Sequence, residues 1–394
     1  MQILNTSSRQ DVAMTQSQPN TFARVGMSHV TRRLGQPYET RMAKLDGVHI
    51  NTSSQPNANP HFGTLTTLMC VAAVAEEMSD HFGKPVQITF DQLENAPDRK
   101  VQGLKTRIVK GQEIEYQISL QDSILSSGTS LVQENMKTFK SLFDFFEQET
   151  GVPFRVRSYH ECQADPLFRT SLLKVLNDIE HFGPIVSPSG EAIRLRFPCP
   201  TCKWVDKGSV YTRVIEQAED EILFEAFCPD HGEHQARLAV DSDDFFDTNT
   251  PLRDIAKVPG LIEAARQDKL MPMMIDGRDW SGRWDRCVHV PGVSRLGYDA
   301  SELPARVYSP VVTDTLGAKL SKSLYVGSMY SEMPRGFADF NDFMEVYGES
   351  GLQTLWEHVR EWSRDPAYMD RDSYTITYFM LLLGGKLGPA NIMG

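Results

Sequence analysis

The chain has 394 residues, 40% of them hydrophobic and 23% charged, with 52 acidic against 40 basic side chains and a formal net charge of −12 at pH 7. That balance argues against a protein that coats nucleic acid through bulk electrostatics, and no run of about 18 apolar residues exists to cross a bilayer as a helix. The length suits a large α/β core carrying insertions.

Residues 1–45 read as an N-terminal arm. Their first 26 positions are polar and lack the apolar stretch of a secretory signal, so the expected address is cytoplasmic. The arginines at Arg24, Arg32, Arg33 and Arg41 read as a solvated face. From Val48 the pattern is strand, Pro-rich turn, helix: HINTSS, then PNANPHFG, then TLTTLMCVAAVAEEMSDHF with apolar residues at helical spacing. Gly83 and Pro85 close that helix before the strand Val86–Phe90. This is a β-α-β unit, which predicts a parallel sheet with a right-handed crossover.

A second helix is expected between about Ser126 and Glu149, with Phe139, Leu142, Phe143 and Phe146 as its core stripe, and a strand over Val152–Ser158. LFRTSLLKVLNDIEHFGPI reads as one helix closed by Gly183 and Pro184, which puts His181, like His81, in a last turn where a cation suits the helix dipole. Residues 197–245 change character, with short strand-like pieces between two cysteine turns, and read as an inserted subdomain. Helix returns at Pro251–Lys269 and strand at Met271–Ile275. Loop-rich segments then run to Leu324, and the last ~70 residues read mainly as helix.

His-Phe-Gly occurs three times, at His61, His81 and His181. Only the first precedes a helix, after a strand, where free backbone N–H groups and the positive end of the dipole favour a polyphosphate. Gly63 lets the backbone approach a nucleotide, and His61 offers a hydrogen bond to charge building on a phosphoryl group. Far along the chain, Asp314-Thr-Leu-Gly-Ala-Lys-Leu-Ser-Lys-Ser-Leu324 sets Lys319 and Lys322 among hydroxyls in a glycine-containing loop, a composition that can hold a leaving pyrophosphate.

The two segments together resemble the paired signatures of class I aminoacyl-tRNA synthetases. His61-Phe62-Gly63-Thr64 resembles the HIGH motif, and Lys319-Leu320-Ser321-Lys322-Ser323 resembles the KMSKS loop, with its upstream aspartate and glycine as Asp314 and Gly317. The resemblance implies a Rossmann-type α/β fold whose parallel sheet is split by an insertion, with the first half at residues 46–196, the second at 246–330, and a helical C-terminal region at 331–394. It implies that His61, Thr64 and Lys322 stabilise the attack of an amino-acid carboxylate on the α-phosphate of ATP, yielding an aminoacyl-adenylate. Gly63, Lys319, Ser321 and Ser323 would hold the nucleotide, with Gly277 and Asp279, in Gly277-Arg278-Asp279, at the ribose. Mg²⁺ is expected with the ATP. Thr64 departs from the motif's second histidine, and its hydroxyl is shorter and uncharged. Asn51 and Asp91, at the carboxyl ends of the first two strands, are candidates for the amino-acid substrate, with capping or turn roles as the alternative.

Cys199-Pro-Thr-Cys202 and Cys228-Pro-Asp-His231 form a C-x2-C…C-x2-H set, able to surround a structural Zn²⁺. His234 is an alternative fourth ligand. The other cysteines, Cys70, Cys162 and Cys287, have no metal spacing and read as core or loop residues, so the six do not form a disulfide framework. Zinc modules occur in several class I synthetases. The nearest analogy is the class I lysyl group, on Pro166-Leu-Phe-Arg-Thr-Ser-Leu-Leu and Trp280-Ser-Gly-Arg-Trp284. Only 71 residues follow Ser323, short for an anticodon-reading region. The leading expectation is a stand-alone paralogue that passes the acyl group to an acceptor other than an ordinary tRNA. A truncated tRNA charger and a catalytically silent binding protein are the alternatives. Neither the amino acid nor the oligomeric state is legible.

Overall fold

The structure is a computed structural model, and it describes residues 42–98, 101–187, 194–320, 333–364 and 372–385. Five strands form its central sheet: β1 (Gly47–Ser54), β2 (Val86–Gln92), β5 (Phe154–Ser158), β12 (Leu270–Gly277) and β13 (Ala305–Ser309). They lie in the order β13-β12-β1-β2-β5, all parallel. β1 and β12 are buried along nearly their whole length, as central strands covered on both faces must be.

Helix α1 (Phe62–Phe82) joins β1 to β2, and α2 (Leu131–Thr150) precedes β5. Both pack on one face, where Ile50, Phe90, Phe139 and Phe146 share a core. On the other face lie α3 (Tyr159–Ala164), α4 (Pro166–Asn177), α5 (Ile179–Val186) and α6 (Thr250–Gln267) around Phe168, Leu172, Ile255 and Val258. The chain moves outward from β1 to β2 and β5, then crosses to the opposite side of β1 for β12 and β13. The carboxyl ends of β1 and β12 therefore diverge at a topological switch point, where open α/β sheets place their ligand crevice.

The insertions are antiparallel. The hairpin β3 (Leu104–Val109) and β4 (Gln112–Gln117) pairs with β7 (Val205–Asp206), while β8 (Arg213–Gln217), β9 (Glu221–Cys228) and β10 (Gly232–Ala239) form their own sheet. A short antiparallel pair, β6 (Leu195–Arg196) with β11 (Asp247–Thr248), closes the base of this excursion. Beyond the main sheet, β14 (Val311–Thr313) pairs in parallel with β15 (Ser373–Thr375). Helix α7 (Phe340–Arg364), kinked at Gly348, runs along α1, and Arg360 and Arg364 pair with Glu76. Helix α8 (Ile376–Leu383) follows. Among the described residues no helix is long and apolar enough to cross a membrane.

Two expectations are corrected. The segment expected as one helix through His181 breaks at Asp178, whose φ of −116° and ψ of 46° are not helical, and α5 then runs through Gly183 and Pro184. His181 thus lies in a first turn, its Nδ1 2.6 Å from the Asp178 carboxylate, and the dipole argument does not apply to it. Pro184 lacks an N–H, so α5 carries one intrahelical bond fewer than its length would give. The stretch expected as loop to Leu324 contains a π-helical segment, Trp284–Val293, and the strands β13 and β14. β13 has only five residues, all buried, too few to show a period in the sequence. His81 does occupy the last turn of α1, and Gly83 caps it with φ +60°.

Candidate functional site

A cavity of about 400 Å³ opens at the switch point. Its walls come from the end of β1 (Thr52–Ser54), the turn into α1 (His61, Gly63, Thr64), the start of α6 (Arg253, Asp254), the end of β12 (Asp276, Gly277) with Asp279 in the turn after it, and Val311, Val312, Lys319 and Leu320. His61, Gly63 and Thr64 thus line the same cavity as Lys319, although 255 positions separate Thr64 from Lys319.

His61 is the N-cap of α1, and its Nδ1 accepts the backbone N–H of Thr64 at 3.2 Å. Acceptance at Nδ1 selects the tautomer with its proton on Nε2. A Cβ on Gly63 would meet the His61 ring at 3.1 Å, so a side chain there would require the imidazole to shift by a few tenths of an ångström. The carbonyl of Gly63 accepts Thr67 Oγ1 at 2.9 Å, and Thr67 Oγ1 also lies 2.8 Å from Ser309 Oγ, which ties the first turn of α1 to the end of β13. The preceding loop is held from two sides: Asn135 Nδ2 donates to Pro56 O at 2.7 Å, and Phe340 N donates to Pro60 O at 2.8 Å. Phe62 is fully buried, its ring against Phe337 (centroids 4.7 Å apart), Phe379 (4.9 Å) and Phe343 (5.8 Å).

Asp314 accepts the N–H groups of Leu316 (2.8 Å) and Ala318 (2.9 Å), and Gly317 takes φ +85°, so these two residues shape the turn that presents Lys319. Lys319 Nζ pairs with the Asp279 carboxylate, which joins the second signature to the Gly277-Arg278-Asp279 turn. Ser321, Lys322 and Ser323 lie outside the described residues, as do Arg24, Arg32, Arg33 and Arg41.

Asn51 and Asp91 are brought together but do not line the cavity. Asn51 Nδ2 donates to Asp91 Oδ2 at 3.0 Å. Lys257 Nζ, from α6, reaches Asn51 Oδ1 at 3.0 Å and Asp91 Oδ2 at 3.1 Å, and Arg157 Nε reaches Asp91 Oδ1 at 2.7 Å. Asn51, Asp91 and Lys257 are 2%, 1% and 5% exposed. Burial alone would push the Asp91 carboxyl up, but Lys257 and Arg157 hold it well below the usual carboxylate range. Asp276 behaves oppositely. Burial, with repulsion from Asp279 and Asp254, pushes it up to about 7 against the opposing effects of the Gly277 N–H and Lys257.

Arg253, Asp254 and Asp276 are cavity residues that sequence reading did not single out. Asp276 directly follows the apolar strand run, the position where a parallel strand delivers a side chain to a ligand crevice, and that signal was available. Arg253 and Asp254 lie one turn into a helix that opens with Thr250-Pro251, where charge normally reads as solvent-facing.

The metal-type cluster is separate from this cavity. The donor atoms of Cys199, Cys202, Cys228 and His231 all lie within 4.8 Å of one another. Cys202 Sγ is 3.5 Å from Cys228 Sγ, and His231 Nδ1 is 3.5 Å from Cys228 Sγ and 3.6 Å from Cys199 Sγ. Tetrahedral Zn²⁺ with its ordinary bond lengths requires donor separations of roughly 3.5–3.8 Å, and these three separations fit that ion. His234 is not in the cluster; its Nε2 lies 3.4 Å from Phe197 O. A closed four-donor set leaves no position for substrate, and the ion's effect would be to pin the turns flanking β7 and β9.

No family model matches the chain, and no curated protein matches it. Solved structures do. The chain is similar to Mycobacterium tuberculosis methionyl-tRNA synthetase bound by methionyl-adenylate, at TM-score 0.43 and 12% identity over 87% of this chain and 69% of that one. It is also similar to Archaeoglobus fulgidus tyrosyl-tRNA synthetase complexed with L-tyrosine, at TM-score 0.37 and 11% identity over 95% of this chain and 91% of that one.

Proposed function

We propose that the protein activates an amino acid with ATP, forming an aminoacyl-adenylate and pyrophosphate in the switch-point cavity. The observation that carries this reading is that residues of the His61–Thr64 turn and Lys319 line one cavity at the carboxyl edge of a split parallel sheet. The triphosphate would lie against the start of α1, where His61 Nε2–H donates to the α-phosphoryl oxygens as the carboxylate attacks, and the P–O bond to pyrophosphate breaks. The Thr64 hydroxyl adds a weaker donor. Lys319 would leave Asp279 for the β- and γ-phosphates, freeing the Asp279 carboxylate to accept the ribose hydroxyls beside Gly277. We assign Lys322, Ser321 and Ser323 to the same phosphates by resemblance, with Mg²⁺ neutralising phosphate charge and Zn²⁺ structural.

For the acceptor, the net charge of −12 disfavours a surface that neutralises many phosphates, so we propose transfer to a small molecule, a carrier or a modified nucleotide in preference to tRNA. Amino-acid-dependent exchange of labelled pyrophosphate into ATP tests the activation step. Exchange with one amino acid supports it, and exchange with none, across the standard amino acids and lysine derivatives, rejects it. Acid-precipitable charging of total tRNA would reject the acceptor assignment.

A further inference from the structure

Among the described residues, five charged side chains line the cavity: Arg253, Asp254, Asp276, Asp279 and Lys319. Four of them are matched. Arg253 pairs with Asp254 at 2.9 Å, the second Asp254 oxygen accepts the Trp284 indole N–H at 3.2 Å, and Asp279 pairs with Lys319. Among the described residues no cation is paired with Asp276. Its Oδ1 accepts the backbone N–H of Gly277 at 2.7 Å, and the nearby Lys257 ammonium is bonded to Asn51 and Asp91 instead. A half-buried carboxylate without a counter-ion is costly, and the cavity is where its partner would enter.

We propose that Asp276 is the residue that binds the substrate's ammonium group. The proposal rests on amino-acid activation for its substrate class. Asp91, the sequence candidate for this task, is held by two buried cations, so an ammonium there would have to displace Lys257 or Arg157. The ammonium could be the α-amino group or a side-chain amine, and the charge recognition is the same.

Isothermal titration calorimetry on the full chain, with each standard amino acid as the probe, tests this. One charge-assisted hydrogen bond corresponds to about 10- to 100-fold in affinity. The expected result is binding by at least one amino acid, weakened about 10- to 100-fold by Asp276→Asn, while the circular dichroism spectrum, the control for folding, matches that of the wild type. The Nα-acetyl derivative fails to bind if the α-ammonium is the ligand; the side-chain-acylated derivative fails if that amine is. Wild-type protein provides an arm that needs no variant. Affinity should rise with pH through about 7 as Asp276 ionises, in the field of Asp254 and Lys257 from α6, Asp279 beyond the strand and Tyr308 on β13. Unchanged amino-acid affinity in Asp276→Asn, or undiminished binding of both acylated forms, overturns the assignment even where pyrophosphate exchange is robust. Binding that depends on Asp276 without exchange leaves it standing and rejects adenylate formation. No binding by any amino acid overturns both.

Discussion

Asp91→Asn separates a structural carboxylate from a substrate-binding one. At an effective dielectric constant of about 20, the Lys257 contact at 3.1 Å and the Arg157 contact at 2.7 Å correspond to attractions of about 5 and about 6 kcal/mol. Desolvation of the buried charges offsets several kcal/mol for each ion, and the net cost of removing one partner from such a pair is about 3–5 kcal/mol. Urea unfolding of the variant should show a loss of that size. Its pH dependence follows from the depressed carboxyl: the folded value lies below the unfolded one of about 3.9, so the stabilisation is fully present above that pH and is lost as pH falls through the folded value. The difference between wild type and variant should therefore be constant above about pH 5 and shrink only in strong acid. Adding Lys257→Met to Asp91→Asn removes the stranded ammonium and should recover a large part of the loss. A destabilisation below about 1 kcal/mol, together with weaker amino-acid binding, would refute this reasoning and return Asp91 to the substrate site.

The metal cluster predicts zinc in the purified protein by elemental analysis, lost in His231→Ala and retained in His234→Ala, since only the former belongs to the four-donor set; chelation should raise hydrogen exchange in β8–β10 before the central sheet. Phe379→Ala removes one wall of the socket around Phe62 and should cost about 3–5 kcal/mol in thermal or urea unfolding; it should also raise the KM for ATP in pyrophosphate exchange, whereas Phe379→Leu should restore most of both. Thr64→His adds a second imidazole at the cavity wall and should raise the exchange rate about 10-fold or more, with a rate at or below wild type counting against His61-side phosphate contact.

Local chemistry was legible in the sequence, and long-range pairing was not. The β1-α1-β2 unit could be read because a strand, a Pro-rich turn, an apolar helix and a Gly83-x-Pro85 stop follow one another within the span of a single crossover. The cysteine knuckle could be read for the same reason: each turn contributes two donors three positions apart. Asn51 and Asp91 show where this fails. Their position at the carboxyl edge was visible, but a strand has period two, and Asn51 shares with Asp91 the face that meets α6. Lys257 comes from 166 positions beyond Asp91, and nothing near either residue announces it. His181 shows a different failure: a single non-helical residue at Asp178 moves it from the end of a helix to the start of the next.

The C-terminal region reads in the sequence as an appendage of helices, yet its contacts make it part of the cavity's frame. Phe340 N fixes the carbonyl immediately before His61, and Phe337, Phe343 and Phe379 enclose the residue immediately after it. The same region sends β15 to pair with β14, the strand that leads directly into the Asp314–Lys319 turn. One body thus holds the roots of both walls, so their separation is set by packing between α1, α7 and α8 more than by either loop alone. That is why Phe62 is the informative position. A smaller aliphatic residue there would leave the imidazole and Gly63 chemically intact while loosening the frame that aims them, and the damage should appear in nucleotide affinity before it appears in the fold of the sheet.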